Sequence, residues 1–384
     1  TTPVAVTMPS GITFSSISAG YSHSCARTST NAIYCWGDSQ LNQLGICELT
    51  NRSVPTRVGL NCVIPSPTTT RTNTSTRTST PVGMVPSQTL TPAPGGWGSL
   101  TAVSSGFYFT CALNSSNNAY CWGFNRYGQL GDGTTTNSVT PVAVSMPAGV
   151  TFSTITTGSF HACALSTSGT AYCWGRNYIG QLGNGTTTNS TTPVAVTMPS
   201  GIIFTSISIG TNHACALTSA GAVYCWGSNQ SGQLGDGTGI NNSVPTAATM
   251  PTGITFTSMS AGSGYTCALT SAGAAYCWGQ NWRGQQGNSN YNNVVPTASN
   301  MPAGVTFTKI SAGNSHTCAI ASSGAAYCWG ESYQWKQLLG NGSTTSSDVP
   351  TIVTMPTGVS FAQVSTRSEE HTSELQSRQY LVCR

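Results

Sequence analysis

Charge is what this sequence most lacks. Of its 384 residues only 6% are Asp, Glu, Lys or Arg, and the two lysines are Lys309 and Lys336. The formal net charge is +4, yet no basic run carries it. That removes the electrostatic footprint of a nucleic-acid binder, so no nucleic-acid partner is expected. No apolar run reaches membrane-spanning length, so no membrane span is expected in this sequence. Carboxylates are too sparse for a paired acid–base site, and no Ser-His-Asp set or phosphate loop is present. The sequence therefore assigns no catalytic residue, no metal and no cofactor, and the chain is not expected to be an enzyme.

Gly, Ser, Thr and Asn dominate instead, which favours short strands and tight turns over helices. The stretch from Cys215 to Gly235, CALTSAGAVYCWGSNQSGQLG, shows the unit. Nearly the same string begins at Cys25, Cys111, Cys163, Cys267 and Cys318. Ala214 to Thr218 and Ala222 to Trp226 read as two strands around Ser219-Ala220-Gly221. A three-residue hairpin loop needs a left-handed residue at its last position. The copies supply Asn31, Asn117, Gly169, Gly221, Gly273 and Gly324 there, and Asn is the side chain that best tolerates that conformation.

This loop sets the register: Thr218 opposite Ala222, Leu217 opposite Val223, Cys215 opposite Cys225. The cysteine pair falls at a non-hydrogen-bonded position, where Cα atoms stand about 4.5 Å apart, just within disulfide reach. Six disulfides are predicted: Cys25–Cys35, Cys111–Cys121, Cys163–Cys173, Cys215–Cys225, Cys267–Cys277 and Cys318–Cys328. Zinc sites bring their cysteines closer in sequence and need four ligands, which this spacing does not offer. Free buried thiols are the remaining alternative. Fifteen cysteines, mostly in paired spacing, point to an oxidising compartment, extracellular or at the cell surface.

First cysteines recur at intervals of 86, 52, 52, 52 and 51 residues. Short strands at such a period mean a propeller or a solenoid. One unit reads as four strands: Phe204 to Gly210, the two hairpin strands, and a Pro-Val segment such as Pro193 to Val196. A Met-Pro-x-Gly turn, as at Met198, Pro199 and Gly201, leads onward. Both hairpin faces are apolar, with Leu217 and Val223 on one and Ala216, Tyr224 and Trp226 on the other. A sheet covered on both faces needs that pattern. The expected class is all-β, a β-propeller of four-stranded antiparallel blades with a disulfide in each hairpin. The repeated Trp36, Trp122, Trp174, Trp226, Trp278 and Trp329 are read as core between blades.

The first interval is 34 residues longer than the next. The surplus lies roughly at 61–94 and contains SPTTTRTNTSTRTSTP, a tract unable to build a core. Asn73-Thr-Ser is a glycosylation sequon there. Cys47 and Cys62 flank its start and are a candidate seventh disulfide. At the other end, RSEEHTSELQS and LVCR look like in-frame translations of a sequencing-library adapter. Residues 367–384 are therefore set aside as non-native, and 1–366 is taken as the propeller domain. Thr1 to Thr7 repeats a fourth strand and Phe361 to Thr366 a first strand. The expected ring has six complete blades plus a partial seventh, its hairpin missing. A fragment of this kind is expected to be unstable.

The unit Gly-x-x-His-x-Cys-Ala-Leu…Tyr-Cys-Trp-Gly-x-Asn-x-x-Gly-Gln-Leu-Gly-x-Gly, complete from His213 to Gly237, resembles the regulator of chromosome condensation repeat. The resemblance covers residues 1–366 outside the insertion. It implies a seven-bladed propeller used as an interaction platform. Members include chromatin-bound guanine-nucleotide exchange factors, a plant ultraviolet photoreceptor and a secreted bacterial inhibitor of β-lactamases. The paired cysteines look like extracytoplasmic bacterial members. Copy six departs, carrying two additional residues in ESYQWKQLLG.

Strands alternate in direction, so the loops joining strands one to two and three to four share a rim. Variable positions there collect Tyr21, Phe107, Tyr108, Phe124, Arg126, Tyr127, Phe160, Arg176, Tyr178, Ile179, Trp282, Arg283, Tyr333 and Trp335. Tyr, Trp and Arg dominate binding hot spots. The rim is the candidate site for a protein or glycan partner; drift at unconstrained loop positions is the alternative. An inhibitor of a secreted hydrolase is a second function. An exchange factor for a small GTPase is a third, disfavoured by the disulfides. A monomer is expected. His23, His161, His213 and His316 recur two residues before a cysteine, with Phe109 and Tyr265 replacing them elsewhere. Such swaps fit packing better than metal binding or catalysis. Asp132 and Asp236, matched by Asn184 and Asn341, are read as turn-stabilising residues rather than calcium ligands.

Overall fold

The computed structural model describes residues 6–46, 48–58, 97–332, 338–355 and 357–366, together with the backbone of 380–383. Cys47, Cys62, the 61–94 insertion, and Tyr333 and Trp335 of the candidate rim lie outside the described residues. Six four-stranded antiparallel sheets follow one another, each in plain sequence order. They are blades 1 to 6, spanning 14–57, 100–143, 152–195, 204–247, 256–298 and 307–352. Blade 4 is typical, with strands Phe204–Ile209, His213–Thr218, Val223–Gly227 and Asn242–Ala247.

The hairpin forms as its turn dictates. Gly221 sits at φ 77°, and Asn31 and Asn117 take φ 63° and 61° at the same place. Thr218 N–H then donates to Ala222 O at 3.0 Å, and Cys215 stands opposite Cys225. All six expected disulfides are present, each with a Cα–Cα distance of 4.1 Å. Most strand bounds shift by one residue from the sequence reading, and the start of the fourth strand shifts furthest. The third strand of blade 4 runs to Gly227, and the fourth strand of blade 3 begins at Ser190 rather than Pro193. The reason is a bulge: Cys173 pairs with Val194 but Gly175 with Ser190, so pairing resumes beyond Pro193. Every fourth strand carries a proline at this place, Pro55, Pro141, Pro193, Pro245, Pro296 or Pro350. A proline without an N–H on an outer strand blunts the edge against pairing with other chains.

The core lies between blades, not within them. In the joint between blades 4 and 5, Cys215, Leu217, Val223 and Cys225 pack against Phe256, Ala268 and Trp278. The joints from blade 1 to blade 6 repeat this, a disulfide face against a tryptophan face. All six repeated tryptophans are almost fully buried, as read from the sequence. A polar seam runs beside the apolar one. Trp278 Nε1 and Thr266 Oγ1 of blade 5 both donate to Gln233 O of blade 4, at 2.9 and 3.1 Å. His213 of blade 4 meets Thr266 Oγ1 at 3.0 Å. The threonine proton is committed to the carbonyl, so His213 donates from Nε2–H. Blades 1 and 2 use the same set through His23, Thr110, Gln43 and Trp122. The ring positions of Phe109 and Tyr265 are equally buried, so this column is packing, as expected. Its rings need the glycine that ends each first strand: a Cβ on Gly210 would lie 2.4 Å from His213 Cε1 and 2.2 Å from Gly262 O.

The first strands touch one another in a closed circle that includes Phe361–Ser365. Serine hydroxyls bridge neighbours. Ser18 Oγ accepts from Ser105 N–H at 2.9 Å, Ser208 Oγ from Ala261 N–H at 2.9 Å and Ser260 Oγ from Ala312 N–H at 2.9 Å. The same bond joins Ser311 to Thr366 and Ser365 to Ala19, each at 3.0 Å. Phe361 covers the disulfide face of blade 6. The backbone of Tyr380–Cys383, in the segment set aside from the sequence, pairs with Phe361–Ser365 as a two-stranded sheet.

Two outcomes are expected. Replacing Cys215 and Cys225 together by alanine lowers unfolding stability by up to about 2–3 kcal/mol in denaturant titrations, the cost of a short disulfide loop. The second concerns acid. Burial holds the His213 pKa down, from 6.5 to about 4, and its Nδ1 has no hydrogen-bond partner among the described residues. Above pH 6.5 the ring is neutral folded or unfolded. As pH falls from 6.5 towards 4 the unfolded chain takes up the proton first, so stability declines by about 1.4 kcal/mol per unit. His213→Phe, matching Phe109, flattens that decline in thermal midpoints measured from pH 7 to 4.

Candidate functional site

Each blade presents its two loops together. The residue after Trp-Gly donates its N–H to the loop between strands one and two. Phe124 N–H reaches Tyr108 O, Arg176 N–H reaches Phe160 O and Ser228 N–H reaches Asn212 O, all at 2.9 Å. The rim deduced from strand direction is therefore a single surface in each blade.

The long loop is shaped by one buried asparagine. Asn125 Nδ2 donates to Asp132 Oδ1, Thr134 O and Thr136 O at 3.1–3.2 Å, and its Oδ1 accepts from Leu130 N–H at 2.9 Å. Asn177, Asn229 and Asn281 do the same work, while Ser39 and Ser332 stand in at blades 1 and 6. The sequence reading missed this role; the signal was there, as the Asn two residues beyond Trp-Gly. Asp132 and Asp236 accept from the N–H two residues on, at 3.0 and 2.9 Å, which is the turn role expected of them.

On this scaffold the aromatic candidates converge in blades 1 to 3. Tyr21 stacks on Phe107 with centroids 3.7 Å apart, and Phe107 meets Tyr108 edge-on at 4.4 Å. Phe107 continues to Phe160 at 5.2 Å, Phe160 to Tyr127 at 5.4 Å and Tyr127 to Tyr178 at 6.0 Å. Phe124 bridges Tyr108 and Phe160 at 6.4 and 6.0 Å. The Arg176 guanidinium carbon lies 5.1 Å from the Tyr178 ring, 5.7 Å from Tyr127 and 5.9 Å from Phe160. Tyr178 is 55% exposed, and most of the others are half-buried. Arg126 is exposed on the same loop as Tyr127.

The remaining candidates do not join the arc. Trp282 is 61% exposed in blade 5, and Arg283 beside it pairs with Glu331 of blade 6 at 3.2 Å. Where blades 1 and 2 place Tyr21 and Phe107, blades 3 to 6 place Ser159, Thr211, Ser263 and Asn314. Thr211 and Ser263 join through their hydroxyls at 3.2 Å. One side of the rim is aromatic, the other hydroxylic. No cluster of three metal-ligating side chains occurs among the described residues, and no helix there could cross a membrane.

Comparison with known proteins agrees with this architecture. The family described as RCC1-like domain matches residues 1–253. The regulator of chromosome condensation (RCC1) repeat matches 256–285 and 307–334, and in a second description 272–320. The ultraviolet-B receptor UVR8 of Arabidopsis thaliana is 29% identical over 353 residues, 91% of this chain and 72% of its own. The E3 ubiquitin-protein ligase HERC2 of Homo sapiens, 30% identical over 220 residues, is far longer, and the match covers 56% of this chain and 5% of HERC2. Among solved structures, human WBSCR16 superposes with a TM-score of 0.75 at 19% identity, covering 94% of this chain and 86% of that one. Prp20p of Saccharomyces cerevisiae gives 0.73 at 20% identity, covering 92% and 80%.

Because Asn125 satisfies both ends of its loop, Asn125→Ala strands a buried N–H and carbonyls. A loss of about 1–3 kcal/mol is expected. Faster amide exchange confined to 126–136 is the local readout.

Proposed function

This chain belongs to the RCC1-like domain family, and from that premise we propose that it is a non-catalytic interaction scaffold working outside the cytosol. Its partner is a protein held on the aromatic rim of blades 1 to 3. The observation that carries this reading is the contiguity of the rim. The aromatic rim residues of blades 1 to 3 pack into one arc that reaches Arg176, while Trp282 and Arg283 of blade 5 stand apart from it. Half-buried Tyr, Phe and Arg in contact form the composition of a binding hot spot. Family behaviour supports a protein partner: yeast Prp20p has binding properties towards Gsp1p and histones.

The extracellular assignment rests on six disulfides, which an oxidising compartment maintains. The same feature weighs against an exchange factor for a cytosolic GTPase. Inhibition of a secreted hydrolase is one form this scaffold role can take, with the rim as the inhibitory face. We further read the native ring as seven-bladed. Phe361–Ser365 stands where a seventh first strand belongs, and Ser311 and Ser365 join it to both neighbours as Ser18, Ser104, Ser208 and Ser260 join other blades.

The test is capture from a secreted proteome by three proteins. One is the unmodified chain, one carries Tyr108→Ala, Phe160→Ala and Tyr178→Ala, and one carries Ser219→Arg on the opposite rim. Thermal midpoints establish that all three are folded. A partner held by the first and third but lost by the second is the expected result. Partners retained equally by all three would remove the rim from consideration.

A further inference from the structure

The aromatic arc contains a cation with no acidic partner among the described residues. Among the described residues there are two ion pairs, Arg52–Glu48 and Arg283–Glu331, and Arg176 is in neither. Its Nε is buried without a hydrogen-bond partner among those residues. The molecule supplies its own comparison. At the joint of blades 5 and 6, Arg283 from the long loop of one blade meets Glu331, the residue after Trp-Gly in the next. At the joint of blades 2 and 3 the equivalent positions hold Tyr127 and Arg176. One joint closes its charge internally. The other holds a cation among three rings with no acidic partner among the described residues.

We propose that this rim reads a carboxylate: the partner presents an acidic peptide segment whose Asp or Glu pairs with Arg176. The proposal rests on the rim reading above and narrows it to a partner chemistry. Ring faces hold a guanidinium by its charge while its planar fork of N–H donors stays available, and that fork matches a carboxylate two bonds at a time. Exposed Arg126 adds a second positive charge nearby. A peptide suits the arc better than an acidic sugar. Tyr127 meets Phe160 at 69° and Tyr178 at 87°, so ring faces are largely spent on one another. Such edge-on packing breaks up the flat platform on which a sugar stacks.

The experiment pans a random 12-residue peptide display library against the full chain, then measures synthesised binders by fluorescence polarisation. Binders are expected to carry Asp or Glu. Changing that residue to its amide, or Arg176→Gln in the protein, each weakens binding by about tenfold or more. The two changes together cost little more than one, and Arg176→Lys falls between. Phe160→Ala, Tyr178→Ala and oligogalacturonate separate the remaining outcomes. Neutral or basic binders that still depend on Phe160 and Tyr178 overturn the carboxylate and leave the rim standing. Binders indifferent to both rim variants overturn both. Oligogalacturonate binding in the absence of any acidic peptide binder assigns the rim to a glycan and overturns the peptide, as does recovery of no binder.

Discussion

In this ring the disulfide face of one blade lies against the tryptophan face of the next, and neither face is stable alone. A four-stranded sheet of such small residues encloses no core of its own. Apolar area leaves water only where Cys215, Leu217, Val223 and Cys225 meet Phe256, Ala268 and Trp278. The accompanying polar groups cannot be left bare at such a contact, because an unpaired buried donor costs about 1–3 kcal/mol. Gln233 O meets that demand by accepting from both Trp278 and Thr266. Stability is therefore a property of joints, and the ring closes only if the last joint is made as well as the first. Phe361 on the face of blade 6 and Ser365 bonded to Ala19 make it here.

That construction explains where variation can gather. A joint uses both faces of every sheet, and the glycines ending the first strands admit no side chain. The rim loops are anchored from below, by Asn125 and its equivalents, which hold the loop backbone and release the positions beside them. Phe124, Arg126, Tyr127, Arg176 and Tyr178 all neighbour such an asparagine. The scaffold thus fixes where these residues stand while leaving their identity to function. The hydroxylic side of the rim, with Thr211 and Ser263 bonded to each other, shows the same frame carrying different chemistry.

Much of this was legible in the chain. Asn31 and Gly221 announced a left-handed turn position, and the disulfide register followed by counting. The period of the cysteines gave the blades, and alternation of strand direction gave the rim. Less legible were the bonds from Asn125 and from the ring of serines. Both depend on which backbone groups a short polar side chain happens to reach. In a sequence rich in Asn and Ser, their recurrence looked like composition. Arg283 and Arg176 are alike by type in the sequence, yet one is paired with Glu331 and the other sits among rings.

The sequence by itself determined the turn, the register, the cross-strand disulfides and two apolar faces per sheet. Those follow from steric limits on a few adjacent residues, and six copies state them repeatedly. Only the tertiary structure decided which rim residues become neighbours. Tyr21 and Phe107 are 86 residues apart and stack because consecutive blades bring their loops side by side. Whether an arginine meets Glu331 or Tyr127 is likewise set across a joint, by a residue about 50 positions away along the chain.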